Sequence, residues 1–258
     1  MKKGALYLVP APLDFGCDAP LPPVTDVLPL ATLQHMAQLP YWVCENAKTL
    51  RALLKRVDAV QPLAQPLQSL QIAEIPRAWH KKGDHQGAPD MTVARTLLAP
   101  ALQGHDMALA SEAGMPAVAD PGASLVRAAH LLDIAVVPLV GPSSILLALA
   151  ASGLNGQNFA FHGYLPQDME ARASRLRQLE QTTYASGASQ WWIETPYRNT
   201  ALLHHALQVL KPTTLLCVGS GLTLPQSDIH TRPVKDWRAI TRANGLEKLP
   251  AVFGLSRP

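Results

Sequence analysis

The sequence predicts an α/β fold with parallel-rich sheets, and three observations carry that expectation. Short apolar runs that read as strands alternate with longer runs of helical spacing, and such alternation favours parallel strands joined by crossover helices. Hydrophobic residues make up 48% of the 258 residues and charged residues only 16%, a balance that suits a well-buried core. Two strand-like runs, Asp106 to Ser111 and Ile134 to Pro138, each end in a turn of small residues and proline, and each turn runs into a helix-like run. Turns of this kind sit at the C-terminal ends of parallel strands, where open α/β sheets bind ligands.

The elements follow in order. Ala5 to Val9 reads as the first strand, stopped by Pro10-Ala11-Pro12. Asp26 to Leu39 has helical spacing, with Asp26 as N-cap and Pro29 near the first turn. Tyr41 to Cys44 reads as a strand. Asn46 to Val57 reads as an amphipathic helix with Leu50, Leu53, Leu54 and Val57 on one face. Trp79 to Asp90 has the composition of an exposed loop. Thr92 to Gln103 reads as a helix with Pro100 straining its end, and Gly122 to Leu132 as a helix between the two strands named above. In the second half, helices over Ser143 to Ser152, Asp168 to Gln181 and Arg198 to Leu210 alternate with strands over Phe159 to Gly163, Gln190 to Glu194 and Leu215 to Gly219. After Asp228 the pattern weakens. The length fits one large domain or two small ones, and the turn from Pro138 to Pro142 is the expected boundary.

Composition narrows the function classes. Net charge is +3, but residues 1–137 carry 11 Lys/Arg against 12 Asp/Glu, and residues 138–258 carry 11 against 7. The basic second half can face an anionic substrate or form a solvated surface. Aromatics at 5% argue against base-stacking platforms of the single-strand-binding type. Cys17, Cys44 and Cys217 form no CxxC pair, which argues against a zinc site or a disulfide scaffold and suits a reducing cytoplasm. The opening MKKGALYLVPAP has too short an apolar run for a signal peptide. No formal charge occurs from Ile134 to Gln167, but the PLVGPSS break makes this a strand, turn and helix, not a membrane span.

The segment Ser111 to Gly122, SEAGMPAVADPG, is the strongest functional signal. Gly114 and Gly122 permit backbone conformations closed to other residues, and Pro116 and Pro121 stiffen the loop. Glu112 and Asp120 can accept hydrogen bonds from a ribose or an amino group, although Asp120 can equally cap the next helix. Gly141 to Ser144, GPSS, follows the next strand; Pro142 suits a first helical turn, and Ser143 or Ser144 can cap it. No GxGxxG follows the first strand, and neither a GxxxxGK[ST] loop nor a GxSxG elbow is present. His204-His205 and His80/His85 lack metal-helix spacing and read as surface histidines. Trp191 and Trp192 alternate faces of a strand, one of them in the core. Glu194, at that strand's end, either faces a ligand or caps the following helix. Arg172, Arg175 and Arg177 read as a solvated helix face or as phosphate contacts.

These residues resemble the tetrapyrrole methylase superfamily, the S-adenosylmethionine (SAM) methyltransferases built from two α/β domains. Within it the chain is similar to the branch that methylates ribose 2′-hydroxyls of small-subunit ribosomal RNA. The branch's S-D-A-G-T-P…D-P-G loop is matched by Ser111-Glu112-Ala113-Gly114-Met115-Pro116 and Asp120-Pro121-Gly122. Its V-V-P-L-P-G-P turn is matched by Val136 to Pro142, its G-[FY]-L-P by Gly163 to Pro166, its Y-E-[ST]-x-x-R by Ile193-Glu194-Thr195 through Arg198, and its opening L-Y-[IL]-V-P by Leu6 to Pro10. The resemblance implies domains over 1–139 and 140–258, a cytoplasmic homodimer, and SAM in the inter-domain cleft. It implies cofactor contacts from Pro10, Ser111, Ala113, Gly114, Asp120 and Gly122, from Gly141, Pro142, Ser143 and Ser144, and from Pro250 and Ala251. No metal and no membrane are expected.

Several positions depart from the branch. Leu13-Asp14-Phe15 stands in place of a Gly-Asn, Glu45-Asn46-Ala47-Lys48 in place of E-D-T-R, and Ser220-Gly221-Leu222-Thr223-Leu224 in place of R-E-L-T-K. Leu249-Pro250-Ala251 instead matches the L/S-P-A of the porphyrin-type members. Three outcomes are therefore carried forward: RNA ribose methylation, tetrapyrrole C-methylation, and SAM binding without catalysis. A hydroxyl acceptor also wants a base, and Glu45, Glu112 and Glu194 are the candidates.

Overall fold

A computed structural model describes residues 2–14, 16–17, 21–77, 79, 88–240, 246 and 248–258. Most of the loop expected at Trp79 to Asp90, with His80 and His85, lies outside the described residues. Contacts divide the chain into two units, Met1–Ser143 and Ser144–Pro258.

In the first unit, the apolar runs form a sheet of β1 (Ala5–Val9), β2 (Tyr41–Cys44), β3 (Gln71–Glu74), β4 (Met107–Ala110) and β5 (Ala135–Pro138). The order is β3-β2-β4-β1-β5, and every pairing is parallel. Helices α1 (Leu30–Gln38), α2 (Ala47–Asp58), α3 (Met91–Leu97), α4 (Ala99–Leu102) and α5 (Ala123–Leu131) cover it. Leu33 and Met36 of α1 share a core with Leu50, Leu53, Leu54 and Val57 of α2 and with Ala108 of β4. Ala94 of α3 and Leu125, Ala128 and Ala129 of α5 pack in another core with Met107 and Leu109. Alternate residues of β4 thus enter opposite layers, as the two-residue period of a strand requires.

Two helix starts differ from expectation for one reason, proline. Asp26 ends a 3₁₀ turn (Val24–Asp26) instead of capping α1, which starts only after Pro29. Proline lacks an N–H and pushes its predecessor out of the helical region, so no helix runs through Leu28-Pro29. The helix expected over Thr92 to Gln103 is two, α3 and α4, with Pro100 in the first turn of the second, where its missing N–H costs nothing.

The second unit has a mixed sheet of β6 (Phe159–Tyr164), β7 (Ser189–Glu194), β8 (Leu215–Ser220), β9 (Asp228–Pro233) and β10 (Ala251–Ser256) in the order β6-β7-β10-β8-β9. Only β6 and β7 pair in parallel. β10 runs antiparallel to both β7 and β8, and β8 and β9 form an antiparallel pair joined without a crossover helix. Helices α6 (Ser144–Ser152), α7 (Met169–Ser186), α8 (Pro196–Val209) and α9 (Val234–Ala239) complete the unit. Both Trp191 and Trp192 are buried, not one of them. They point to opposite layers: Trp191 lies with Leu149 and Cys217, and Trp192 stacks on Phe253 at 5.8 Å between ring centroids.

The basic helix α7 is not a uniform solvated face. Arg172 is buried and donates from Nε to Nδ1 of His205 at 2.8 Å. His205 is therefore a core partner instead of a surface histidine, and burial with the nearby Arg172 and Arg177 charges holds it below its ordinary pKa. Arg175 Nη2 lies 3.0 Å from His162 Nδ1, leaving Arg177 as the exposed member of the three.

Candidate functional site

The chain leaves β1 for α1 on one face of the first sheet and leaves the adjacent β4, by way of Ser111 to Gly122, for α5 on the other. Neighbouring strands whose connections part to opposite faces open a crevice at their C-terminal ends, the favoured ligand position of such sheets. Here Ala11 and Gly114 bridge that crevice: each donates its N–H to the other's carbonyl at 2.9 Å. Ser111 Oγ donates to the Gly114 carbonyl at 3.0 Å and lies 3.3 Å from that of Ala113, so its hydroxyl shapes the loop.

The turn after β5 closes against the same place. A Cβ built on Gly141 would lie 2.2 Å from Cγ of Pro10, so the backbone meets the proline ring with no room for a side chain. A Cβ on Gly114 would lie 3.3 Å from the Leu13 side chain and 3.7 Å from the Pro142 carbonyl oxygen. Thr32 Oγ1 donates to the Val140 carbonyl at 2.7 Å and ties the turn to α1. Pro10, Ala113, Gly114, Gly141 and Pro142 are thus gathered around the ends of β1, β4 and β5, with Ser143 following at the end of the first unit.

The loop after β4 is held in an unusual backbone path. Gly114 (φ +72), Ala117 (φ +64), Ala119 (φ +66) and Gly122 (φ +132) all take left-handed conformations. Such a φ costs an alanine about 1–3 kcal/mol unless its surroundings impose it, and this strain concentrates at ligand sites. Nothing in the letters Ala117 and Ala119 announces it. Gly122, not Asp120, is the N-cap residue of α5.

Glu45, Glu112 and Asp120 lie in this unit's turns. Glu45 Oε1, beyond β2, lies 3.4 Å from the Glu112 N–H that points to it, and Glu112 Oε1 accepts from Thr49 Oγ1 at 3.1 Å. Thr49 carried no sequence signal. Burial, reinforced by the Glu112 charge, pushes the Asp120 carboxyl up to about 7. Neither Glu112 nor Asp120 forms an ion pair among the described residues. The site therefore combines close-approach backbone with negative charge and suits a cationic ligand. Among the described residues no group of three or more His, Cys, Asp or Glu side chains could hold a metal, and no helix is long and apolar enough to cross a membrane.

The remaining candidates lie in the second unit. Ser144 opens α6. Glu194 Oε1 accepts from the Thr195 N–H at 2.8 Å and Oε2 from Arg198 Nη2 at 2.6 Å, so this buried carboxylate braces the start of α8. Ala251 begins β10 between Glu194 and Ser220, and the Pro250 carbonyl accepts from the Gly221 N–H at 3.4 Å. Asn199, which the sequence did not single out, is fully buried and donates to the carbonyls of Leu246 and Leu249 at 2.9 and 2.7 Å, fixing the approach to Pro250.

Gly114→Val is expected to leave the fold largely intact while costing about 1–3 kcal/mol from the left-handed φ. It should also abolish ligand binding at the bridge. Titration of the variant with SAM beside a thermal melt measures both effects.

Comparison with known proteins agrees with this architecture. The chain is similar to ribosomal RNA small subunit methyltransferase I of Escherichia coli O157:H7, with 35% identity over 141 residues, 55% of this chain and 48% of that protein. It is 31% identical over 227 residues to the protein of the same name from Mesorhizobium japonicum, covering 88% of this chain and 66% of the relative. The chain thus spans about half to two thirds of the length of these relatives. Among solved structures, the methyltransferase CobJ superposes with a TM-score of 0.57 at 16% identity, covering 98% of this chain and 94% of that one. Uroporphyrin-III-C-methyltransferase from Thermus thermophilus gives 0.51 at 18%, covering 98% and 92%. The family model of tetrapyrrole (corrin/porphyrin) methylases matches residues 46–235, from the cap of α2 to the start of α9, and the chain belongs to that family.

Proposed function

We propose that this protein is a SAM-dependent methyltransferase whose acceptor is a ribose 2′-hydroxyl of small-subunit ribosomal RNA. The observation that carries the proposal is the bridged crevice between β1 and β4, closed by Gly141 against Pro10 and flanked by Glu112 and Asp120. An acidic, small-residue cradle fits SAM, whose sulfonium and ammonium groups are cationic, and the names of the similar RNA enzymes favour the acceptor. When bound, SAM supplies a methyl group already activated on sulfur.

The chain's part is to hold and align. Pro10, Ala113, Gly114, Gly141 and Pro142 offer their backbone to the ligand, and Ser111 keeps that backbone in place. Alignment of this kind contributes roughly 7–11 kcal/mol to a barrier. The proton of the acceptor hydroxyl needs a base, worth about 10²–10⁴-fold. Glu194 is occupied by Thr195 and Arg198, so this role passes to the first unit's carboxylates, with Asp120 foremost beside Glu112 and Glu45. The homodimer and the cytoplasmic location are part of the same proposal, and sedimentation velocity checks the first.

Asp120 gives the proposal a pH signature. Its carboxyl titrates near 7, well above the ordinary 3.8 of an unfolded chain. Between those values the folded protein holds a proton that the unfolded chain has released, so stability falls as pH rises through the window. Asp120→Asn is expected to melt higher than wild type at pH 8, by about 1–4 kcal/mol, and alike near pH 4. The same variant should lose the rise of transfer rate through neutral pH.

The proposal is tested by incubating the protein with methyl-labelled SAM and either total RNA from a strain lacking the corresponding modification or porphyrin precursors. Label in RNA is the expected result. Label in the porphyrin would move the acceptor to a pyrrole carbon, and label in neither, with SAM bound, would leave a binding protein.

A further inference from the structure

The first turn of α8 carries a feature that the core does not use. Tyr197 is 78% exposed. The next residue, Arg198, is held in place by Glu194, whose side chain is 0% exposed against 21% for the arginine. Thr195 fixes that carboxylate in turn through its N–H at 2.8 Å and its hydroxyl at 3.2 Å. One guanidinium N–H is thereby committed. The other four make no hydrogen bond among the described residues. On the neighbouring parallel strand, Tyr164 pairs in register with Ile193, one residue before Glu194, and is 54% exposed. Two exposed tyrosines and an oriented guanidinium therefore stand at the C-terminal ends of β6 and β7.

We propose that single-stranded RNA crosses this end of the second unit, with an unstacked base on Tyr197, a backbone phosphate on Arg198 and a second stacking face at Tyr164. The inference rests on the RNA reading of the proposed function and gives its acceptor a contact surface. Aromatic rings stack any base, and RNA is recognised chiefly where its strands are unpaired and bases can splay onto tyrosine or arginine planes. Arginine held by a carboxylate keeps its planar fork fixed, which suits phosphate oxygens. Residues 138–258 carry 11 Lys/Arg against 7 Asp/Glu, so the half of the chain that presents the tyrosines is complementary to a polyanion. Two tyrosines make a contact of one or two bases, which is compatible with the overall scarcity of aromatics.

The test is fluorescence anisotropy of the full chain with a labelled single-stranded RNA of about 16 nucleotides. Tyr197→Ala should raise Kd at least about fivefold, and Tyr197→Phe, which keeps the ring, should stay within about twofold of wild type. Both variants should melt like wild type, because the side chain is exposed. Binding by Tyr197→Ala as tight as wild type overturns the inference while leaving the RNA reading in place. Loss in Tyr197→Phe equal to that in Tyr197→Ala overturns stacking as its basis. A wild-type chain that takes SAM but no RNA overturns the RNA reading, and this surface with it.

Discussion

Replacing Gly141 by alanine is expected to destabilise the first unit by about 3 kcal/mol and to weaken ligand binding with it. The added Cβ would lie 2.2 Å from Cγ and 2.4 Å from Cβ of Pro10, with the Leu28 side chain at 3.3 Å behind. A lysine or methionine in that position would swing aside, but a proline ring is part of the main chain and cannot. Relief must come from moving the turn after β5 away from the end of β1. That displaces Pro142, whose carbonyl oxygen lies beside Gly114, and so carries the damage to the bridge. Thermal melting should show a loss of about 6–12 °C. Calorimetry with SAM should show affinity weakened by tenfold or more, about 1.4 kcal/mol. Alanine here with wild-type melting and wild-type affinity would show that the turn does not press on Pro10 and is not part of the site.

Arg198→Met should be costlier still in the second unit, about 3–5 kcal/mol. Methionine keeps much of the stem but leaves the Glu194 carboxylate, fully buried, with only the neighbouring Thr195 groups as donors among the described residues. Removing one partner of a buried ion pair strands a charge in a medium that solvates it poorly. Glu194→Gln in the same background restores neutrality, so the double variant should recover part of the loss. A double-mutant cycle read by urea unfolding measures that coupling directly. Additive losses would mean that the pair contributes little and that α8 is anchored by Asn199 instead.

The first unit was far more legible in the sequence than the second, for physical reasons. Parallel strands buried on both faces read as uninterrupted apolar runs, and the MALA of β4 and the ALYLV of β1 could be placed by eye. The glycine- and proline-rich turns were equally plain, because only certain residues tolerate their backbone paths. The strand QIAE of β3 was missed: it is a short edge strand with exposed ends. So was β9, DIHTRP, whose polar alternation belongs to the outermost strand of the second sheet. β10 was recognised only as a motif at Pro250-Ala251, since nothing in AVFGLS says that its neighbours run the other way. The site showed the same division. Gly114 and Gly141 were legible from chemistry alone, whereas Thr49, Asn199 and the left-handed Ala117 and Ala119 owe their roles to partners distant in sequence. Glu194 was legible as significant but ambiguous in role, and only the position of Arg198 resolves it.

The central place of β10 has a consequence for synthesis. The strands of the first sheet lie within Met1–Ser143, so that unit can close while the rest of the chain is still being translated. The second sheet cannot. β7 and β8 have their shared neighbour only when Ala251–Ser256 emerges, nearly sixty residues after β7 is complete. At about 5–20 residues per second that interval is on the order of three to twelve seconds. Throughout it, β7 presents an unpaired edge with Trp191 and Trp192 on its two faces, a template for joining the wrong chain. The nascent second unit is thus the part of this protein with most need of a chaperone, and codons that slow translation between β8 and β10 should lower its soluble yield while leaving the first unit able to fold.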